Sequence, residues 1–201
     1  MPAITTLKDY LRLMTQMRMQ GWTHPEGHTY HGIEDYVLDR GVAFAAAALT
    51  PDEMGVVSRA AQNTMEMADC QFRPKECFGN AQLLELGDET GTLQYHEGYG
   101  RYYVDCLHGW VTINSKVVDL TWRRDPEVGH RFMSDPLENR IIGDFPEGME
   151  YIGVRIPPDV FLDKLCCSIL DDPRDNYPLL RTERINAPPP PLPFDLRRQL
   201  G

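Results

Sequence analysis

The sequence lacks the features that mark several large functional classes. Its longest purely apolar run, Val42 to Leu49, has eight residues, far fewer than the roughly 20 that cross a bilayer. Basic residues are scarce, because 20 Lys and Arg oppose 30 Asp and Glu and leave a formal net charge of −10. Such a surface repels phosphate groups, so we predict neither nucleic-acid binding nor attachment to a membrane.

Cofactor signatures are missing as well. The segment Gly98-Tyr99-Gly100 leads into a predicted strand rather than a helix, so it does not predict a phosphate-binding loop, and we expect no organic cofactor. No two cysteines have the CxxC spacing of a thiolate zinc site. We expect no metal, although a loop site with Glu26 stays open as an alternative; its histidines are His24, His28 and His31.

The number of cysteines and the N-terminal sequence do not indicate disulfide pairing. Lys8, Asp9 and Arg12 stand where a signal peptide needs apolar residues, so no secretion signal is predicted. An odd number of cysteines without such a signal indicates free thiols in a reducing compartment, and we predict a cytoplasmic protein. The five cysteines are Cys70, Cys77, Cys106, Cys166 and Cys167.

The length of 201 residues suits one domain with a buried core and appendages. We predict an α+β fold with a helical N-terminal part (1–69), a core (70–180) and a Pro-rich extended tail (181–201). Helix capping signals and apolar spacing predict helices from Thr6, over 33–49, over 50–69, over 77–87 with a left-handed glycine cap at Gly87, and over 158–170. Alternating polarity predicts strands over 92–99, 102–113, 116–122 and 151–156.

Cys77 stands at the predicted start of a helix, where backbone N–H groups and the helix dipole stabilise a thiolate. Ala81 and Leu84 follow on the same helix face, so the thiol should point toward the protein body. Gln71 lies six residues earlier, and its side-chain amide is a candidate donor to an oxyanion, together with the Cys77 N–H. A thiol nucleophile also needs a base and a carboxylate that orients the base.

A predicted hairpin supplies both groups. A two-residue turn at Asn114-Ser115 pairs Val111 with Val118, Gly109 with Leu120 and Leu107 with Trp122, which gives one nearly continuous apolar face for the core. The opposite face then carries His108 diagonal to Asp119, at a backbone separation of roughly 7–8 Å that long side chains bridge. Cys106 shares this face, but no helix terminus activates it, so we rank it below Cys77 as a nucleophile.

These residues resemble a known family. Cys77 opening a helix, then His108-Gly109-Trp110, then Val118-Asp119-Leu120-Thr121 resemble the transglutaminase-like branch of the papain-like cysteine enzymes. The segment 95–99 is similar to the strand before the His strand in small bacterial and phage members, and the spacing of Gln71 is similar to that of the papain-type oxyanion glutamine. The resemblance covers about residues 70–122 and implies a papain-like fold with a Cys-His-Asp triad. The Gly-Ser-Cys-Trp context of papain is absent.

Together these residues predict thiol-dependent acyl transfer on amide bonds through a cysteine thioester. We expect a hydrolase (a protease, amidase or deamidase) that acts on a protein, peptide or small amide, with Tyr95, Tyr99 and Trp110 lining the substrate site. Two alternatives stay open. An amine acceptor would make the protein a transglutaminase or acyltransferase, and a non-catalytic binding or structural module could use the same fold, with the Pro-rich tail docking on a protein partner.

Overall fold

The computed structural model describes residues 4–21, 23, 26–68, 72–125, 127, 135–158, 160, 178–181 and 185–186. These residues form an α+β fold. Its four helices are α1 (Leu7–Gly21), α2 (Ile33–Arg40), α3 (Pro51–Ala68) and α4 (Cys77–Leu86). Its six strands are β1 (Val42–Phe44), β2 (Gln94–Arg101), β3 (Asp105–Ile113), β4 (Lys116–Arg123), β5 (Arg140–Ile142) and β6 (Glu150–Arg155).

Some predictions fall on residues outside the described part. They concern Gln71, His24, Cys70, Cys166, Cys167, most of the predicted helix 158–170 and most of the Pro-rich tail. Within the described part, no helix combines the length and the apolar character needed to cross a membrane.

The six strands form one antiparallel sheet in the order β1-β6-β2-β3-β4-β5. Because side chains alternate along a strand, the sheet buries residues on both faces. One face packs against the helices through residues such as Val111 and Val118, together with Leu7 and Leu11 of α1. The other face carries a second buried cluster, made of Trp110, Val117, Ile141, Met149 and Tyr151.

The predicted hairpin is confirmed at its turn. Asn114 and Ser115 both have positive φ angles, 49° and 64°, as a two-residue turn between twisted strands requires. The pairs Ile113↔Lys116 and Val111↔Val118 match the predicted register. This register places His108 and Asp119 on the same face of neighbouring strands.

The predicted register fails farther from the turn. The described pairing of β3 with β4 stops at Val111↔Val118, and β4 shifts its register against β5 between Asp119 and Arg123. Leu120 still packs on the helix face, whereas Trp122 packs with the opposite cluster, contrary to our prediction. The reason is local: the Asp119 carboxylate accepts the backbone N–H groups of Thr121 and Trp122 and draws the chain out of the regular ladder.

The predicted helix over 33–49 is wrong in its second half. α2 ends at Arg40, and 42–44 form an edge strand that pairs with β6. Gly41 allows the change of direction, since a Cβ there would lie 2.4 Å from the Val37 carbonyl oxygen. Phe44 then packs edge-on against Trp110, with ring centroids 5.7 Å apart. Pairing and packing with distant residues override the helical propensity of the alanine-rich segment, so the part before residue 70 adds a strand to the sheet.

The helix starts follow their capping signals. The Thr50 N–H donates to Glu53 Oε2 (2.7 Å) and the Glu53 N–H to Thr50 Oγ1 (3.3 Å), which confirms the predicted capping box. Glu53 also accepts hydrogen bonds from Asn114 Nδ2 (2.8 Å) and Lys116 Nζ (2.7 Å). The start of α3 is therefore tied to the hairpin turn.

The end of α4 differs from its prediction. Gly87 follows the last helical residue, but its φ is −71°, so it is not a left-handed cap. A Cβ at Gly87 would lie 2.3 Å from both the Ala60 carbonyl oxygen and Thr64 Oγ1. Glycine is therefore required here because α3 and α4 approach closely.

Candidate active site

Cys77 is the first residue of α4, as predicted, and the residue is 8% exposed. The helix packs directly against β3 at Gly109. A Cβ at Gly109 would lie 2.9 Å from Phe78 Cδ1, 3.1 Å from Phe78 Cα and 3.3 Å from the Tyr95 hydroxyl. The missing side chain at Gly109 therefore lets the first turn of α4 approach the strand that carries His108.

The loop before Cys77 is held in place by Asn80, a residue that our sequence reasoning missed. Asn80 Oδ1 accepts the Arg73 N–H (2.9 Å), and Asn80 Nδ2 donates to the Arg73 carbonyl (2.7 Å) and to Thr121 Oγ1 (2.8 Å). Arg140 donates a longer bond, 3.4 Å, to the Phe72 carbonyl. These contacts join the loop, the first turn of α4 and β4 into one unit. The only sequence feature that could have indicated this role is an amide side chain three residues after the candidate cysteine.

His108 and Asp119 meet, as the hairpin register predicts. His108 Nε2 lies 2.7 Å from Asp119 Oδ2, and both side chains are buried. The other carboxylate oxygen, Oδ1, accepts the backbone N–H groups of Thr121 (2.8 Å) and Trp122 (3.2 Å). Tyr151, which our sequence reasoning also missed, donates its hydroxyl to Asp119 Oδ2 at 2.9 Å. Three donors therefore orient the Asp119 carboxylate, in addition to its contact with His108.

The electrostatics of this pair favour a protonated imidazole. Burial lowers the pKa of His108, but the charge and hydrogen bond of Asp119 and the interaction with the neighbouring Cys77 thiol outweigh it and raise the pKa to about 10. Burial raises the pKa of Asp119, yet the charge of His108 and the donors around the carboxylate lower it overall. At neutral pH the charged form of the His108 imidazole is therefore favoured, with Asp119 in contact with the ring and Cys77 as its neighbour. Because Nε2 faces Asp119, Nδ1 is the ring nitrogen that remains for an interaction with the Cys77 sulfur.

Trp122 covers one face of the imidazole. The two rings are nearly parallel (14°), with centroids 4.0 Å apart. Gly100 makes room for this stack, since a Cβ there would lie 2.5 Å from Trp122 Cη2. The shift of register after Asp119 thus has a consequence for the site, because it turns Trp122 onto His108 and fixes the ring plane.

The three aromatic residues predicted to line the substrate site lie in the core instead. Trp110 and Tyr95 are each 0% exposed and Tyr99 is 6% exposed. The Tyr95 hydroxyl donates to Glu97, and the Tyr99 hydroxyl donates to Glu34. Strands paired on both sides and covered on both faces bury these side chains, which the alternation pattern of a single strand does not reveal.

The other candidate residues differ from Cys77 in their surroundings. Cys106 is partly buried, and burial, with the nearby Cys77 and two carboxylates, raises the pKa of its thiol to about 11. His31 contacts Asp35, at 3.4 Å from Nδ1 to Oδ2. Among the described residues, no group of three or more His, Cys, Asp or Glu side chains is placed to hold a metal ion.

A methyl group at position 109 should disturb this site. We expect Gly109→Ala to destabilise the fold by about 1–3 kcal/mol, because the new Cβ meets Phe78 in a packed core. It should also lower the reactivity of Cys77 by about 10²-fold, because α4 must move away from His108. Urea unfolding and the alkylation rate of Cys77 measure the two effects.

Gly55→Ala is the matched control for Gly109→Ala. Gly55 lies inside α3, and its nearest neighbour to an added Cβ is Arg59 Nη1 at 3.7 Å. This change should stabilise the helix by about 1 kcal/mol and leave the reactivity of Cys77 unchanged. Equal reactivity of Cys77 in both variants would contradict the close approach of α4 as a requirement of the site.

No family model, no curated protein and no solved structure matches this chain. Its function is therefore inferred from its own residues and their geometry.

Proposed function

We propose that this protein is a cysteine hydrolase that cleaves amide bonds through a thioester on Cys77, on an architecture of the papain-like, transglutaminase-like kind. The observation that carries the proposal is the buried contact of His108 Nε2 with Asp119 Oδ2 at 2.7 Å, on a ring that also interacts with the neighbouring Cys77. A cation beside a cysteine stabilises the nucleophilic thiolate. A helix N-terminus at the same sulfur acts in the same direction.

The first half of the reaction forms the thioester. The Cys77 thiolate, paired with the His108 imidazolium, attacks the carbonyl carbon of the amide, and the carbonyl oxygen becomes an oxyanion. His108 then transfers its proton to the nitrogen of the leaving group as the carbon–nitrogen bond breaks, and the amine departs. Asp119 holds the ring through Nε2, so Nδ1 faces the reacting atoms throughout.

The second half restores the enzyme. Neutral His108 accepts a proton from a water molecule, whose oxygen attacks the thioester carbon. The carbon–sulfur bond breaks, the carboxylic acid leaves and the thiolate–imidazolium pair returns. We propose water as the acceptor because it is always present at high concentration. The N–H of Cys77 and the side-chain amide of Gln71 are the proposed oxyanion donors.

Selective alkylation tests this assignment. At pH 7, native protein treated with iodoacetamide should carry label on Cys77 at least tenfold faster than on Cys106, as measured by peptide mass spectrometry. The physical reason is that the Cys106 thiol, with its pKa raised to about 11 by burial, stays protonated, whereas Cys77 lies beside an imidazolium.

The His108→Gln variant provides the control for the alkylation experiment. It keeps a polar side chain beside Asp119 but removes the cation, so the advantage of Cys77 over Cys106 should disappear. If Cys77 in the wild type reacts no faster than Cys106, or reacts only after unfolding, the enzyme proposal fails.

A further inference from the structure

A second concave site lies away from Cys77, between α2 and the strands β1, β2 and β6. It is a cavity of about 570 Å³, within the range of small-molecule sites. None of the triad residues lines it. Its walls include Tyr30, Tyr36, Arg40, Val42, His96, Val154, Arg155 and Ile185.

One wall of the cavity is built from segments distant in sequence. Asn186 Oδ1 accepts the N–H groups of Thr29 and Tyr30, both at 2.8 Å, and Asn186 Nδ2 donates to the Tyr30 carbonyl at 3.1 Å. Tyr30 and Tyr36 then meet edge to face, with ring centroids 5.0 Å apart. These bonds hold the two aromatic rings in place, so the apolar part of the cavity is preorganised.

The charge of the cavity is opposite to that of the chain. Its described lining residues carry two guanidinium groups and no carboxylate, in a protein with a formal net charge of −10. Arg40 is already compensated, since its Nε lies 2.9 Å from Asp39 Oδ2 and 3.0 Å from the Tyr30 hydroxyl. Arg155 is exposed, and no ion pair between described residues includes it, although its charge acts on the more distant Glu85 carboxyl.

His96 adds an aromatic surface but no second free charge. Its Nδ1 lies 2.9 Å from the Gln94 carbonyl oxygen, which only accepts, so Nδ1 carries the ring proton. Burial, together with the charge of Arg155, lowers the pKa of His96 to about 4 and keeps the ring neutral at physiological pH. Among the described lining residues, the cavity therefore offers one guanidinium outside any ion pair, Arg155, beside aromatic and aliphatic surfaces.

We propose that this cavity binds a small organic carboxylate with an aromatic or aliphatic body. The planar guanidinium of Arg155 pairs with the carboxylate, and the body packs against Tyr36, Val42 and Ile185. A single negative charge matches the single guanidinium of the described lining that is outside an ion pair. A phosphate group, with a charge of about −1.5 to −2, would leave excess negative charge in an acidic protein.

Calorimetric titration of the full-length protein tests this site with phenylacetate as the probe. We expect saturable binding of one phenylacetate per chain. Phenylacetamide, which has a similar shape but no charge, should bind at least tenfold more weakly. Inorganic phosphate should also bind at least tenfold more weakly, because it lacks the apolar body.

Two arginine variants locate the binding. Arg155→Gln should weaken phenylacetate binding at least tenfold and leave phenylacetamide unchanged. Arg59→Gln makes the same change of charge at an exposed position on α3 and should have no effect. The proposal is overturned if phenylacetate does not saturate, if phosphate binds equally well, or if both variants lose affinity alike. Because the cavity excludes the triad, none of these outcomes depends on catalysis.

Discussion

Cys77→Ala should abolish amide cleavage. In a screen of acyl-donor peptides with a fluorescent amide leaving group, we expect the variant to lose roughly 10⁵-fold in rate or more, because the other described thiol, Cys106, stays protonated with its pKa raised to about 11 by burial. The change removes one sulfur atom from a residue that is 8% exposed, so the fold should survive it. Near-ultraviolet circular dichroism and urea unfolding check that it does.

Cys106→Ala is the matched control for Cys77→Ala. It removes the same atom from the same face of the sheet as His108, but the Cys106 thiol stays protonated because burial raises its pKa to about 11. This variant should keep activity within a few-fold of the wild type. Equal activity of Cys77→Ala and wild type on every peptide cleaved would overturn the hydrolase proposal. Adding an amine to the assay distinguishes water from an amine as the acyl acceptor. A transglutaminase would form a new amide, whereas a hydrolase would release the free acid.

Asp119→Asn should lower activity by roughly 10³-fold to 10⁴-fold with little change in geometry. The two N–H groups of Thr121 and Trp122 both donate to Oδ1, so the amide oxygen of asparagine must take that position. The amide NH₂ then faces His108 Nε2, where the wild type has a carboxylate oxygen. Nε2 must become the acceptor, so the proton moves to Nδ1, and the ring can no longer accept one from that side.

The pKa of His108 should reveal the same change. Without the carboxylate charge, burial is the main remaining influence, and the pKa should fall from about 10 to below its ordinary value of 6.5. In the wild type, the pairing therefore stabilises the fold fully below pH 6.5, and this stabilisation is lost as the pH rises through about 10. In Asp119→Asn, stability should instead fall as the pH drops below 6.5.

Nuclear magnetic resonance titration of the His108 ring protons, with urea unfolding between pH 5 and 11, measures both effects. Asp52→Asn, at an exposed position in the first turn of α3, is the control for loss of one negative charge. A His108 pKa that stays near 10 in Asp119→Asn would show that another group holds the imidazolium.

Several parts of the site follow from short stretches of sequence. The turn at Asn114-Ser115 and the alternation around it are enough to place His108 diagonal to Asp119. The capping box of Thr50 and Glu53 locates the start of α3, and local sequence also predicts the start of α4 at Cys77. Each of these features depends on interactions between residues only a few positions apart, which are present whatever the rest of the chain does.

Tertiary contacts determine the remaining parts of the site. They bring together residues that are far apart in the chain, so the sequence alone does not show that these residues are neighbours. Tyr151 reaches Asp119 only because β6 lies within the same sheet, and Trp122 turns onto His108 only after the register shifts. Tyr95 and Trp110 become core residues because strands and helices on both sides cover them. Local propensities are worth tenths of a kcal/mol per residue, whereas buried pairing and packing are worth several, so the long-range interactions prevail where the two conflict.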